Sequence, residues 1–484
     1  MTNEREPMGP WQRSLPLFVA ALALLVLVSG CADPAPSPPN IVFINVDDLG
    51  WTDLSCQGSD FYETPHIDEL ASQGMRFTDA YAPASNCAPS RACVLTGQYT
   101  PRHQVYTVAR SDRGPATARK LIPTKTKLHI EDDNLTMAHG LRAAGYATAS
   151  IGKWHISPDP EQNGFESNIA GGAFGGPSRG GYASPYDYPN CTAEEAGEYL
   201  TDRLTNEAID FVRDHADGPF FLYLPYYTVH SPLESKPELR AKYDAKKVSG
   251  DDTAAHGKPS YAGMIESLDQ NVGRLLEALE ELGLADNTVV LFTSDNGALW
   301  ETSKQWPLRA GKGSYYEGGI RAPLFVRWPG VIPAGTSSAV PVSGIDFYPT
   351  LLDIAGAPLP PNKPIDGVSL VPLLKQTAEM TDRPLFWHFP IYLQGIVKQG
   401  PVETRDRLFR TRPGSVVRRG DWKLHEYFEN SEFELYNLID DIGEKHNLAQ
   451  DEPQKLAELQ ELLLTWREHI GAPVPSELNP AFEG

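Results

Sequence analysis

Two pairs of oxygen-bearing side chains stand at the ends of apolar runs. Asp47-Asp48 follows Asn40-Ile41-Val42-Phe43-Ile44-Asn45-Val46, and Asp295-Asn296 follows Val289-Val290-Leu291-Phe292-Thr293-Ser294. In α/β sheets, ligand sites gather beyond the carboxyl ends of the strands. Carboxylate and amide oxygens placed there suit a hard divalent cation. Taken singly, each pair is an ordinary helix cap or Asx-turn, and Asp295-Asn296-Gly297 is also a common turn. Taken together they point to one metal site. A second kind of chemistry lies in Ser85-Asn86-Cys87-Ala88-Pro89-Ser90-Arg91-Ala92-Cys93-Val94-Leu95-Thr96-Gly97. It sets a thiol near a guanidinium. As a bare C-x-P-S-R this is equally a helix start, with Pro89 in the first turn. Further candidates are Lys153 and His155 in Gly152-Lys153-Trp154-His155, His230 in Tyr227-Thr228-Val229-His230-Ser231-Pro232, and Lys312 in Gly311-Lys312-Gly313. Out of context such lysines are solvated and such histidines structural. Histidine nevertheless suits both proton donation and acceptance, because its unperturbed pKa is near neutral.

These residues need elements to hold them. Apolar, β-branched runs recur at 146–151, 220–224, 288–294 and 323–328, and read as buried strands. Between them lie helical patterns. Asn134 is placed to cap a helix through Ala144, closed by Gly145. Leu200, Leu204, Ala208 and Val212 share one face of a second helix. Met264, Leu268, Val272, Leu275, Leu279 and Leu282 share a face of a third, with Gly283 as its stop. Alternation of this kind predicts an α/β sheet covered by helices on both faces. After about residue 375 the texture changes to short strands around 418–424 and 434–438 and a helix over 454–470, a smaller α+β subdomain. Residues 157–191, rich in Gly, Pro and Tyr, form a long irregular stretch of the kind that often carries function.

The first thirty residues stand apart. Leu15 to Val28 is apolar except for Pro16, with Arg5 and Arg13 ahead of it, which reads as a signal-peptide core too short to span a bilayer. Val28-Ser29-Gly30-Cys31 resembles a bacterial lipobox, which implies cleavage before Cys31 and a lipid on its thiol; an ordinary signal peptide also ends in small residues. A lipid would tether the chain to a membrane without spanning it, in the periplasm or at the cell surface. The expected organisation is a signal peptide over 1–30, a Pro- and Ser-rich linker over 31–39, a main domain over 40–375 and the subdomain over 376–484. A net charge of -21, without long charged blocks, argues against a nucleic-acid partner. It also means that an anionic substrate must be held by local cations against the global field.

The stretch from Cys87 through Arg91, extended by Leu95-Thr96-Gly97, resembles the signature of the sulfatase family, within the alkaline phosphatase superfamily. Asp47-Asp48, Asp295-Asn296-Gly297, Gly152-Lys153-Trp154-His155, His230, and the run from Gly311 through Pro323 are similar to further blocks of that family. The resemblance implies an alkaline phosphatase-like large mixed sheet sandwiched by helices. It implies hydrolysis of sulfate monoesters by a formylglycine that a maturation enzyme makes from Cys87. It implies metal ligation by Asp47, Asp48, Asp295, Asn296 and residue 87, with Ca2+ favoured over Mg2+. By the same resemblance Arg91, Lys153 and Lys312 neutralise the sulfate and the nucleophile. His155 is the base that collapses the sulfated intermediate, and His230, helped by Lys312, the acid at the leaving group. With Cys31 lipidated and Cys87 modified, three of the five cysteines would remain, so at least one stays unpaired.

The substrate is read less directly. Trp300, Glu301, Lys304, Trp306 and Arg309 follow a metal-bearing strand end, and aromatic plus charged side chains there suit a sugar with hydroxyl and anionic groups; a solvated loop is the plain alternative. His103, beside Arg102, and His388, beside Trp387, are candidates of the same kind. The overall pattern resembles exported bacterial sulfatases acting on sulfated saccharides, with galactose or N-acetylgalactosamine sulfates favoured. Two other readings share these residues: a phosphonate monoester or phosphodiester hydrolase, and a non-catalytic protein that binds sulfated glycans with Cys87 unconverted.

Overall fold

The run Asn40–Val46 is buried at every position, which in a strand means that both faces of its sheet are covered. In a computed structural model, which describes residues 38–246, 258–378, 380, 382–395, 404–405 and 407–484, that strand is the centre of the molecule. The expected signal peptide, Cys31 and most of the linker lie outside the described residues, which from Pro38 onward form one compact unit.

The main sheet comprises β1 (Asn40–Val46), β2 (Met75–Phe77), β3 (Ala147–Ile151), β4 (Ser167–Ile169), β5 (Phe220–Leu224), β6 (Thr288–Ser294), β7 (Leu324–Arg327) and β8 (Thr336–Ser338). Their spatial order is β8-β2-β7-β6-β1-β5-β3-β4. β7 runs antiparallel to both neighbours and the other pairings are parallel, so the sheet is mixed. Alternation sorts the strand side chains between two cores. Val42, Ile44, Val46, Val290 and Phe292 face one, and Ile41, Phe43, Val289 and Leu291 face the other. The first core is closed by α1 (Pro65–Ser72), by the helix Leu200–Asp214 through Leu200, Leu204, Ala208 and Val212, and by the long helix Pro259–Glu281. The second is closed by α2 (Cys87–Thr96), by Met137–Ala143 and by Phe347–Ile354.

The helix expected from Asn134 starts later. Thr136 is its N-cap, in a reciprocal box with His139, while the Asn134 amide donates to Gln98 Oε1 at 3.0 Å. Two residues could cap this end, and the one whose partner sits three positions on, as a capping box requires, takes it. Residues 157–191 hold only short pieces, among them β4 at the sheet edge and the two-residue strands Asp187–Tyr188 and Cys191–Thr192.

A second, four-stranded antiparallel sheet forms the C-terminal subdomain: β9 (Leu385–Phe389), then β12 (Gly414–Arg419), β13 (Trp422–Tyr427) and β14 (Glu432–Asn437) in that order. The small pair β10 (Leu393–Gln394) and β11 (Phe409–Thr411) flanks it. The last helix, Pro453–Ile470, covers one face through Leu459 and Leu463, which pack with Val417, Leu424 and Leu435. The seam between the two sheets is polar and buried. Lys423 on β13 donates to Glu317 at 2.8 Å and pairs with Glu444 at 3.0 Å. Arg321 and Tyr81 donate to the second Glu317 oxygen at 2.8 and 2.7 Å. Arg418 pairs with Asp79 at 2.6 Å, and His425 lies 3.1 Å from Glu444. The main-chain N–H of Glu317 donates to Glu444 at 2.6 Å.

Cys56, Cys87, Cys93 and Cys191 are all free thiols, so no disulfide forms among the described residues. No helix among those residues is long and apolar enough to cross a membrane.

Candidate active site

Adjacent central strands β1 and β6 end side by side, and the register that pairs Val46 with Ser294 brings Asp47-Asp48 against Asp295-Asn296. The N–H of Asp48 donates to Asp295 Oδ1 at 3.3 Å, and Asp295 N–H to the Val46 carbonyl at 3.0 Å. Cys87 is the first residue of α2, whose ten residues are all buried. Its Sγ sits 3.4 Å from Asp47 Oδ1 and 3.9 Å from Asp48 Oδ1. Ligand atoms from Asp47, Asp48, Cys87 and Asp295 all lie within 4.8 Å of one another.

Three cations face these three carboxylates. Arg91, one turn into α2, donates to Asp295 at 2.8 Å and to the Lys153 carbonyl at 3.0 Å. Lys153 donates to Asp47 at 2.5 Å, and Lys312 reaches both Asp48, at 2.6 Å, and Cys87 Sγ, at 3.0 Å. Burial works against the Asp47 carboxylate, but Lys153, with His230 and Arg91 behind it, holds its pKa well below the usual range. Burial raises Asp295 above its ordinary value; Arg91 opposes this and Asp47 adds to it. Burial and the Asp47 charge push the Cys87 thiol up to about 12, so it is no ready thiolate.

The two histidines stand at the open side. His230 lies 3.8 Å from Asp48 through Nε2, and its Nδ1 is 2.7 Å from the Ser231 carbonyl, which places the ring proton on Nδ1 and frees Nε2. His155, with a backbone φ of 71°, is half-buried, and its buried Nδ1 has no partner among the described residues. Burial, then Lys153 and Arg91, keep it well below the usual histidine pKa and so neutral and able to accept a proton. Both rings lie under the backbone of Gly175-Gly176. A side chain at Gly175 would stand 2.3 Å from His155 Cε1, and one at Gly176 3.0 Å from His230. No motif pointed to this wall; the Gly-rich stretch 157–191 was its only trace in the sequence.

The arrangement fits a divalent cation. Asn296 donates to Asp48 at 2.7 Å through its amide nitrogen, while its buried Oδ1 has no partner among the described residues. A buried acceptor left open beside crowded carboxylates suits a hard divalent cation. Arg91 Nη2 is likewise buried and unpartnered there.

The substrate candidates divide. His103 and His388 are not brought to the site. His103 sits behind α2 with Nε2 3.2 Å from Cys93 Sγ, and its Nδ1 accepts from Val105 N–H at 3.2 Å. His388 on β9 lies 2.8 Å from Ser415 Oγ and 2.9 Å from the Pro473 carbonyl. Burial pushes both down to about 3. Each is a satisfied interior histidine. Arg309 turns to the C-terminal sheet, donating to the Glu444 carbonyl at 2.7 Å and stacking 3.9 Å over Tyr316. Trp300 and Glu301 stay half-buried on the surface loop, with Lys304 4.1 Å over the Trp300 ring and Trp306 6.5 Å away. Arg410 on β11, which the sequence did not single out, donates to the Lys312 carbonyl at 3.3 Å.

A family model described as Sulfatase matches residues 39–357, and one described as N-sulphoglucosamine sulphohydrolase, C-terminal, matches residues 311–469. A sulfatase of Formosa agariphila is 36% identical, covering 94% of this chain and 92% of the relative. The N-acetylgalactosamine-6-sulfatase of Homo sapiens is 33% identical over 74% of this chain and 69% of its own. Among solved structures, Ps i-CgsB in complex with k-i-k-neocarrahexaose superposes with a TM-score of 0.72 at 30% identity, covering 89% of this chain and 93% of that one. The site at the ends of β1 and β6 thus sits in a chain that belongs, over nearly its whole described length, to the sulfatase family of sulfuric ester hydrolases.

Proposed function

We propose that the protein hydrolyses sulfate monoesters on saccharides, galactose or N-acetylgalactosamine sulfates first among them, with formylglycine made from Cys87 as nucleophile and Ca2+ as the bound cation. The observation that carries this reading is the position of Cys87 Sγ among Asp47, Asp48 and Asp295, with Lys312 3.0 Å away. A sulfur there is a soft ligand in a set of hard oxygens. Oxidation at residue 87 would make the set uniform, which supports the formylglycine assignment. The name of the human relative and the sugar bound to Ps i-CgsB support a saccharide.

Asp47, Asp48, Asp295, Asn296 and residue 87 would hold the cation, which supplies charge neutralisation and a lowered pKa for a bound hydroxyl. The hydrate of formylglycine supplies a geminal diol. The rest falls to the chain's own groups. Lys153, Lys312 and Arg91 neutralise sulfate oxygens as charge builds in the transition state. His230, with Nδ1–H held on the Ser231 carbonyl and Nε2 facing the open side, acts from its doubly protonated form: the Nε2 proton goes to the departing sugar oxygen and the ring is left neutral with its proton on Nδ1. Neutral His155 takes the proton whose loss expels sulfate and restores the aldehyde. A serine at 87 would instead keep the sulfate as a stable ester. Export through a signal peptide and a lipid on Cys31 complete the proposal, and place the enzyme on a membrane surface in the periplasm or at the cell surface.

Mass spectrometry of the peptide carrying residue 87, from the native source, tests it. Formylglycine is the expected finding; cysteine alone defeats the mechanism. Comparing aryl sulfate with aryl phosphonate kinetics separates a sulfatase from a phosphonate monoester hydrolase, and a preference for phosphonate would reverse the assignment.

A further inference from the structure

Arg410 is out of keeping with Arg412, Arg418 and Arg467 of the C-terminal subdomain. Arg412 pairs with Glu429 at 2.7 Å, Arg418 with Asp79 at 2.6 Å and Arg467 with Glu426 at 2.5 Å. Arg410 makes one hydrogen bond, from Nη1 to the Lys312 carbonyl, and its buried Nη2 has no partner among the described residues. Burial is the main influence on its guanidinium, and the acids it senses, Glu301 and Asp48, offset that burial only in part. A half-buried cation with a buried, unpartnered nitrogen and no ion pair among the described residues is costly and needs a reason.

Its position supplies one. The Arg410 stem lies on Gly313, where a Cβ would stand 2.7 Å from Arg410 Cδ, and Gly313 has φ of 90°. The flat backbone next to Lys312 thus lets a C-terminal guanidinium reach the rim of the catalytic cluster, within the field of Asp48. Arg410 therefore borders, through the Lys312 backbone, a site that already holds three cations for one sulfate.

We infer that Arg410 receives a second anionic group of the saccharide, a carboxylate or another sulfate, next to the sulfate that is cleaved. The inference rests on the sulfatase reading above and adds to it: the preferred substrate carries at least two negative groups. Guanidinium geometry favours it, because the planar fork matches carboxylate and sulfate oxygens two at a time.

The test compares kcat/KM for three saccharides of one backbone: singly sulfated, doubly sulfated, and singly sulfated with a uronate carboxylate. For the wild-type protein, one or both dianionic forms should exceed the singly sulfated form, and which one does so identifies the second anion. Arg410→Met should lower that ratio by about ten- to hundred-fold, and Arg410→Lys should restore part of it. Because a ratio is read, a shift of Lys312 common to all substrates cancels. Sulfate release with no preference for a dianion, or with a preference untouched by Arg410→Met, overturns the inference alone. No sulfate release from any of the three by the wild-type protein overturns the sulfatase reading and the inference together.

Discussion

The molecule buries two clusters of charge, and they are built on opposite terms. The seam around Glu317 joins Lys423, Arg321, Glu444, Tyr81 and His425 into a set of contacts between 2.6 and 3.1 Å. Among the described residues it leaves one unpartnered atom, His425 Nδ1. The cluster at the ends of β1 and β6 also matches acids with bases, yet it leaves Arg91 Nη2, Asn296 Oδ1 and His155 Nδ1 without partners among the described residues. A structural cluster closes on itself; a catalytic one keeps valences for what is to arrive. The same contrast separates two neutral histidines. Both ring nitrogens of His388 are engaged, whereas His155 keeps Nδ1 unpartnered.

Breaking each cluster should therefore have a different cost. Cys87→Ala should lower sulfate release by ~10^4-fold or more, since it removes the nucleophile of a unit that acts together, while sulfate-ester binding and thermal stability remain near wild type. Unchanged turnover in that variant would refute the role given to residue 87. Glu317→Gln should do the reverse and cost about 1.5–3 kcal/mol of stability, because it removes the carboxylate that Lys423 and Arg321 share and leaves them to Glu444 and Asp79 alone. Denaturant unfolding measures it, and a loss under about 1 kcal/mol would mean that the seam behaves like a surface pair.

An effect confined to acid pH sharpens the histidine contrast. Burial lowers His388 to about 3. The unfolded chain then takes up a proton below about pH 6.5 that the folded protein refuses. Its stabilising contribution is complete above that pH and is lost as pH falls toward 3. His388→Gln should flatten the stability profile between pH 6.5 and 4 by up to about 3 kcal/mol; a profile parallel to wild type would assign the acid sensitivity to other groups.

Much of this was legible in the chain because central strands covered on both faces read as unbroken apolar runs. Asn40–Val46, Phe220–Leu224 and Thr288–Ser294 are such runs. Met75–Phe77 and Thr336–Ser338 escaped, since three residues carry no period. Asp47, Asp48, Asp295, Arg91, Lys153 and Lys312 were marked by their sequence blocks, and the fold gathers them. His103 and His388 misled because a histidine's type does not reveal whether its nitrogens are already spent. Arg410 was invisible for the opposite reason: only the return of β11 to the Lys312 loop, 98 positions away, gives it meaning.

That loop has a consequence for what counts as a complete catalyst. Every residue carried over from the sequence blocks precedes Leu324, yet the turn bearing Lys312 runs on to Glu317, whose side chain is tied to Lys423 in the second sheet. A chain ending before that sheet would keep every signature residue and lose the clamp that sets one of them. Competence here is a property of the closed chain rather than of its motif inventory.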